Sequence, residues 1–129
     1  MLAGVYNLTC EQGATFIRNL EIERPDPSDP TGQTFIPFDL SGYTARMQVR
    51  RTLESTTTMV SLTSTVDGSG NGITMQPLGV ANAMKIYMTD ELTATITTSG
   101  LYDLEIINAA GEVSRVLQGQ FNLNPEVTR

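Results

Sequence analysis

Asp103 and Glu105 are the two residues of this chain best placed, by type and spacing, to do chemistry. They alternate along a strand-like run, so both leave the same face, where a carboxylate pair can bind calcium or act as acid and base. The same spacing is the ordinary pattern of a solvated strand face, and that reading is preferred. Asp67-Gly68-Ser69-Gly70-Asn71-Gly72 is acidic and glycine-rich like a calcium loop, but the closing glutamate is missing. No helix signal or Gly-Lys pair follows it, so it is not a phosphate cradle either, and it reads as a hairpin tip. Cys10 is the single cysteine and the chain has no histidine, so an internal disulfide, a nucleophilic triad and a thiolate zinc site are all excluded. Cys10 reads as a small core residue. The chain is therefore expected to be no enzyme, with no catalytic, metal or cofactor site.

The elements that position these residues are strands. In Tyr43 to Arg50, Tyr43, Ala45, Met47 and Val49 fall on one face and Thr44, Arg46, Gln48 and Arg50 on the other. That two-residue alternation predicts a strand with one packed and one wet face, and Asp39, Ser41 and Gly42 supply the turn before it. Similar runs occur over Val5 to Cys10, Ala14 to Glu23, Gln33 to Phe38, Met59 to Val66, Ile73 to Gln76, Ala83 to Met88, Leu101 to Ile107 and Val113 to Asn124. Inward positions are Phe16, Leu20 and Ile22; Val60, Leu62, Ser64 and Val66; Met84, Ile86 and Met88; Tyr102, Leu104 and Ile106; and Val113, Leu117, Gly119, Phe121 and Leu123. Arg18 shares the face of Phe16 and Leu20, which requires its stem to snorkel at an edge or a bulge to shift the register.

Between the strands, Arg24 to Gly32 holds three prolines and is expected to be an irregular, solvent-exposed loop. Thr89 caps a single helical turn with acids in its first positions, of the kind that bridges two sheets. Asn108 to Glu112 is a hairpin turn. With turn signals about every ten residues and hardly any helix, the 129 residues (1–129) read as one all-β domain. The expected architecture is an antiparallel, immunoglobulin-like β-sandwich of about eight short strands.

Composition limits the partners. Charged residues are only 17% of the chain, so Thr, Ser, Asn and Gln must cover the surface, which suits strands. A net charge of −6, with its arginines scattered singly apart from Arg50-Arg51, argues against nucleic acid as a partner. No apolar run is long enough for a membrane span, and Met1 to Leu8 lack the basic and apolar regions of a signal peptide. With no Trp and 6% aromatic residues, a carbohydrate- or receptor-binding module is a weaker reading, and Tyr87 is the ring it would use.

Three stretches carry a family resemblance. Leu8-Thr9-Cys10-Glu11-Gln12-Gly13-Ala14-Thr15-Phe16 and the block from Asp39 to Arg50 (DLSGYTARMQVR) resemble small virion proteins of tailed bacteriophages. The segments Gly100 to Glu105, Gly111 to Gly119 and Pro125 to Arg129 resemble the same group, and the first part is also similar to the N-terminal domain of phage baseplate upper proteins. The resemblance implies a non-enzymatic β-sandwich repeated in a virion, in the tail, baseplate or neck, assembled in the host bacterial cytoplasm. Its partners would be other virion proteins or further copies of itself. A capsid decoration protein is the nearest alternative. Within that reading the partner contacts are expected from the two termini and from Pro25, Asp26, Pro27, Ser28, Asp29, Pro30 and Thr31.

Overall fold

The computed structural model describes residues 4–128. Met1 to Ala3 and Arg129, which belong to the termini expected to contact partners, lie outside the described residues. The chain is an all-β sandwich. Its strands are β1 (Gly4–Val5), β2 (Leu8–Glu11), β3 (Phe16–Glu21), β4 (Glu23–Pro25), β5 (Phe35–Pro37), β6 (Thr44–Arg50), β7 (Val60–Thr63), β8 (Gly72–Met75), β9 (Ala83–Met88), β10 (Gly100–Ile107) and β11 (Val113–Asn124). A helix, α1 (Asp90–Ala94), separates β9 from β10.

The larger sheet runs β1-β11-β10-β6-β7, with β2 following β1 along the same edge of β11. Its inner face is built in register: Met47 lies between Leu104 and Leu62, and Val49 between Tyr102 and Val60. The alternation over β6 therefore buries Ala45, Met47 and Val49, as expected of it. The smaller sheet, β3-β9-β8, packs across it with Phe16, Ile73, Met84, Ile86 and Met88 facing inward. Phe16 and Phe121, one from each sheet, have ring centroids 6.0 Å apart and mark the centre of the interlayer core. Arg18 needs no bulge. On the outer strand of the smaller sheet it lays its guanidinium 4.4 Å from the Phe16 ring centroid and donates to the carbonyls of Thr9 and Ile17.

The connections differ from expectation at several points. The segment 67–72 is no hairpin tip, because it carries the chain from β7 in one sheet to β8 in the other. Asp67 closes it by accepting from the amides of Ser69 and Asn71, and Asn71 Oδ1 in turn accepts from the amide of Thr89. Strand β7 ends at Thr63, since Ser64 Oγ is drawn to the amide of Ala45; Val66 is consequently exposed, not inward. Glu23–Pro25 is regular strand, so the expected irregular segment begins later than Arg24. Its pairing with Phe35–Pro37 places Pro25 at the strand end, where a missing donor costs nothing. Pairing is antiparallel except along β11, which β1 and β2 flank in parallel.

Helix α1 bridges the two sheets as predicted. Thr89 Oγ1 accepts from the amide of Leu92, and Asp90 and Glu91 complement the helix start. Thr93, fully buried, accepts from the amide of Gly13 and donates to the carbonyl of Ala14, tying the helix to the turn after β2.

Candidate functional site

The outer face of the larger sheet carries ordered polar rows. Arg46, Glu105 and Arg115 lie side by side across β6, β10 and β11; Gln48, Asp103 and Gln118 form the next row; Arg50, Leu101 and Gln120 the third. Arg46 Nε is 2.7 Å from Glu105, and Arg115 Nε is 3.3 Å from Asp103. Both pairs are partly exposed, so each contributes less than about 1 kcal/mol, and their effect is to pattern the surface. Burial, then the neighbouring Glu105, pushes the Asp103 carboxyl above its ordinary value, against the pull of Arg115, Arg46 and Arg50.

A β-bulge creates this arrangement. The β10–β11 register shifts between Leu104 and Glu105: Leu104 faces Leu117 while Glu105 faces Arg115, leaving Val116 as the extra residue. Unbroken alternation would put Arg115 on the inner face with Leu117. The bulge turns it outward beside Glu105 and buries Val116 in its place. The expected inward position of Val113 is overturned for the same reason, and Val113 is exposed.

The rows form the floor of a groove of about 630 Å3. Val5 and Asn7 bound it on one side, and Thr52 and Leu53 on the other. It continues past Leu101 and Gln120 into a shallower hollow of about 480 Å3 that reaches Ser99 and Asn122. The Thr52–Leu53 wall is anchored by Arg50, which donates to the carbonyl of Ser55 and to Gln48 Oε1. Among the described residues Arg50 and Arg51 pair with no carboxylate. The groove thus combines unpaired guanidinium groups with amide side chains, donors suited to carboxylates and to extended backbone.

The seven residues expected to contact partners sit together at the tip of the β4–β5 hairpin. Their loop is closed on itself. Asp26 Oδ1 accepts from the amide and hydroxyl of Ser28, and Asp29 accepts from the amide and hydroxyl of Thr31 and the amide of Thr34. These bonds hold the Asp29 carboxyl far below the ordinary carboxylate range, the Thr31 hydroxyl bond first among them, and lower that of Asp26 as well. Both remain charged at neutral pH. The hairpin presents Pro25, Pro27, Ser28, Pro30 and Thr31 to solvent with Phe35 exposed on its flank.

Asp103 and Glu105 do share one face, but each is engaged by an arginine. Tyr87 is half-buried, with Gly70 against its ring, and is a poor platform. The exposed rings are Tyr6, in the gap between β1 and β2, and Phe35, at the start of β5, neither of which the alternation singled out. The chain matches no known protein family and no curated protein.

Proposed function

We propose that this chain is a non-enzymatic structural component of a tailed-bacteriophage virion, present in several copies in the tail, baseplate or neck and joined to other virion proteins by protein–protein contacts. The observation that carries the reading is the β4–β5 hairpin, whose loop is fixed by its own aspartates while its prolines and Phe35 face outward. A segment ordered before it meets a partner binds without a large ordering cost. The resemblance of the block from Asp39 to Arg50 to small virion proteins supplies the setting, and repetition in a particle lets modest contacts sum.

The experiment is quantitative mass spectrometry of purified particles, counting this chain against the major capsid protein. A ring-sized copy number supports the reading. A ratio approaching that of the capsid protein moves the chain to the capsid surface as a decoration protein, and absence from particles overturns the virion setting altogether. Particles assembled with a chain lacking residues 26–31 address the hairpin: reduced incorporation of a folded chain is expected, and normal incorporation excludes the hairpin as the contact.

A further inference from the structure

We propose that the groove on the outer face of the larger sheet receives the β4–β5 hairpin tip of a second copy of this chain, with Arg50 and Arg51 meeting Asp26 and Asp29. The inference rests on the hairpin being a partner contact and names the partner.

Charge is the first support. The groove and its rim carry Arg46, Arg50, Arg51 and Arg115 against Asp103, Glu105 and Glu54, an excess of one positive charge in a chain whose net charge is −6. The hairpin from Glu23 to Pro37 holds three acids and one arginine, a net −2. The positive excess of an acidic molecule is thus gathered in one concave place, and a part of its negative excess on one projecting tip. Like surfaces of other copies would repel; these two attract.

Free valences are the second. Arg51 has no hydrogen-bond or ion-pair partner among the described residues, and Arg50 is satisfied only by neutral oxygens. On the hairpin, Asp26 uses Oδ1 for both of its bonds to Ser28 and leaves Oδ2 open. A guanidinium approaching that oxygen makes a charge-assisted bond without breaking the loop.

Apolar surface is the third. Val5 is 76% exposed and Leu53 81%, one on each wall of the groove, and Phe35 is 53% exposed on the flank of the hairpin. Seating the tip in the groove covers all three, which no contact within one copy does. Hairpin and groove are different surfaces, so the contact is head-to-tail. Such a contact closes into a ring when its rotation allows and otherwise extends as a chain.

The test uses two variants of the full chain and sedimentation velocity. Asp26→Asn with Asp29→Asn removes the charge of the tip and keeps the Oδ1 acceptors for Ser28 and Thr31, giving up only the second Asp29 oxygen that accepts from the Thr34 amide. Arg50→Gln with Arg51→Glu alters only the groove and its rim. Circular dichroism and the unfolding midpoint confirm that each is folded. The unaltered chain is expected to self-associate at about 0.1 M salt, where the screening length is about 10 Å, and to dissociate at about 1 M, where it is about 3 Å. Each variant alone is expected to be monomeric. Mixed, they should form dimers and nothing larger, because one supplies an intact hairpin and the other an intact groove. A wild-type chain that stays monomeric at low salt overturns the proposal, as do folded variants that associate like wild type or a mixture that stays monomeric. None of those results alters the count of copies in particles, so the virion reading stands or falls separately.

Discussion

The hydroxyl of Tyr102 donates a 2.6 Å hydrogen bond to the carbonyl of Tyr6, joining the middle of β10 to the gap between β1 and β2 across the intervening strand β11. At that gap the Tyr6 carbonyl turns away from the ladder, and Asn7 Oδ1 replaces it by accepting from the amide of Gln120. The edge of the groove formed by Val5 and Asn7 is held by this exchange. Burial, then the neighbouring Tyr6, pushes the Tyr102 phenol up to about 12, so it stays a donor at any working pH. Tyr102→Phe removes the bond with little change in packing and should lower stability by about 1 kcal/mol in urea unfolding. An unchanged midpoint would mean that solvent satisfies the Tyr6 carbonyl equally well.

Gly119 is where β11 makes room for that carbonyl. A Cβ at this position would stand 2.4 Å from the Tyr6 oxygen and 2.9 Å from Asn7 Oδ1, atoms held in place by the Tyr102 hydroxyl and the Gln120 amide. Gly119→Ala should therefore displace β1 and β2, at a cost of about 2 kcal/mol. Amide exchange should quicken at Tyr6, which bonds to the Gln118 carbonyl, and at Gln120. Combined with Tyr102→Phe, the loss should be smaller than the sum, since both act on one contact. Additive losses would show the two sites to be independent.

How much of this was legible in the sequence depends on whether the information was local. The alternation in β6 assigned every buried position correctly, and in β9 it placed Met84, Ile86 and Met88 but not Ala83, which is buried at the strand start; both strands are central in their sheets. In β11 the same rule fails at Val116, since the bulge answers to Arg115 needing the wet side opposite Glu105, a residue on another strand. The crossing at 67–72 was misread because a glycine-rich turn looks alike whether it joins neighbours or sheets. The exposed loop was legible from its prolines but not the β4–β5 hairpin that carries it, and the groove was invisible, being assembled from β6, β10, β11 and β1.

Cys10 offers a test by pH. It is fully buried, and burial pushes its thiol up to about 11 from the 9.0 of an exposed thiol, against the pull of nearby Arg18. Because the folded value is the higher one, this group adds stability below pH 9 that is lost as pH rises through about 11, where the unfolded chain releases its proton first. At pH 8 the native chain should react with a thiol reagent only as fast as it opens. The unfolded chain should react at the rate of a free thiol. Rapid stoichiometric labelling of the folded protein would contradict the buried position.

Leu78 holds a conformation at odds with its type. Its φ is 56° and that of Gln76 is 50°, two left-handed residues on either side of Pro77. Gln76 is compensated, because its side chain donates to Asp39, Ser41 and the Ala81 carbonyl. Leu78 is not, for its side chain is fully exposed. A left-handed residue with a Cβ costs roughly 1–2 kcal/mol, which asparagine largely avoids. Leu78→Asn should raise stability by about 0.5–1 kcal/mol, and the thermal midpoint by roughly 3 °C for each kcal/mol. Leu78→Ala, which keeps the Cβ and loses only solvent-facing atoms, should stay within about 0.5 kcal/mol of the starting protein. If asparagine gives no gain over alanine, the backbone at this turn carries no strain and Leu78 sits there at no cost.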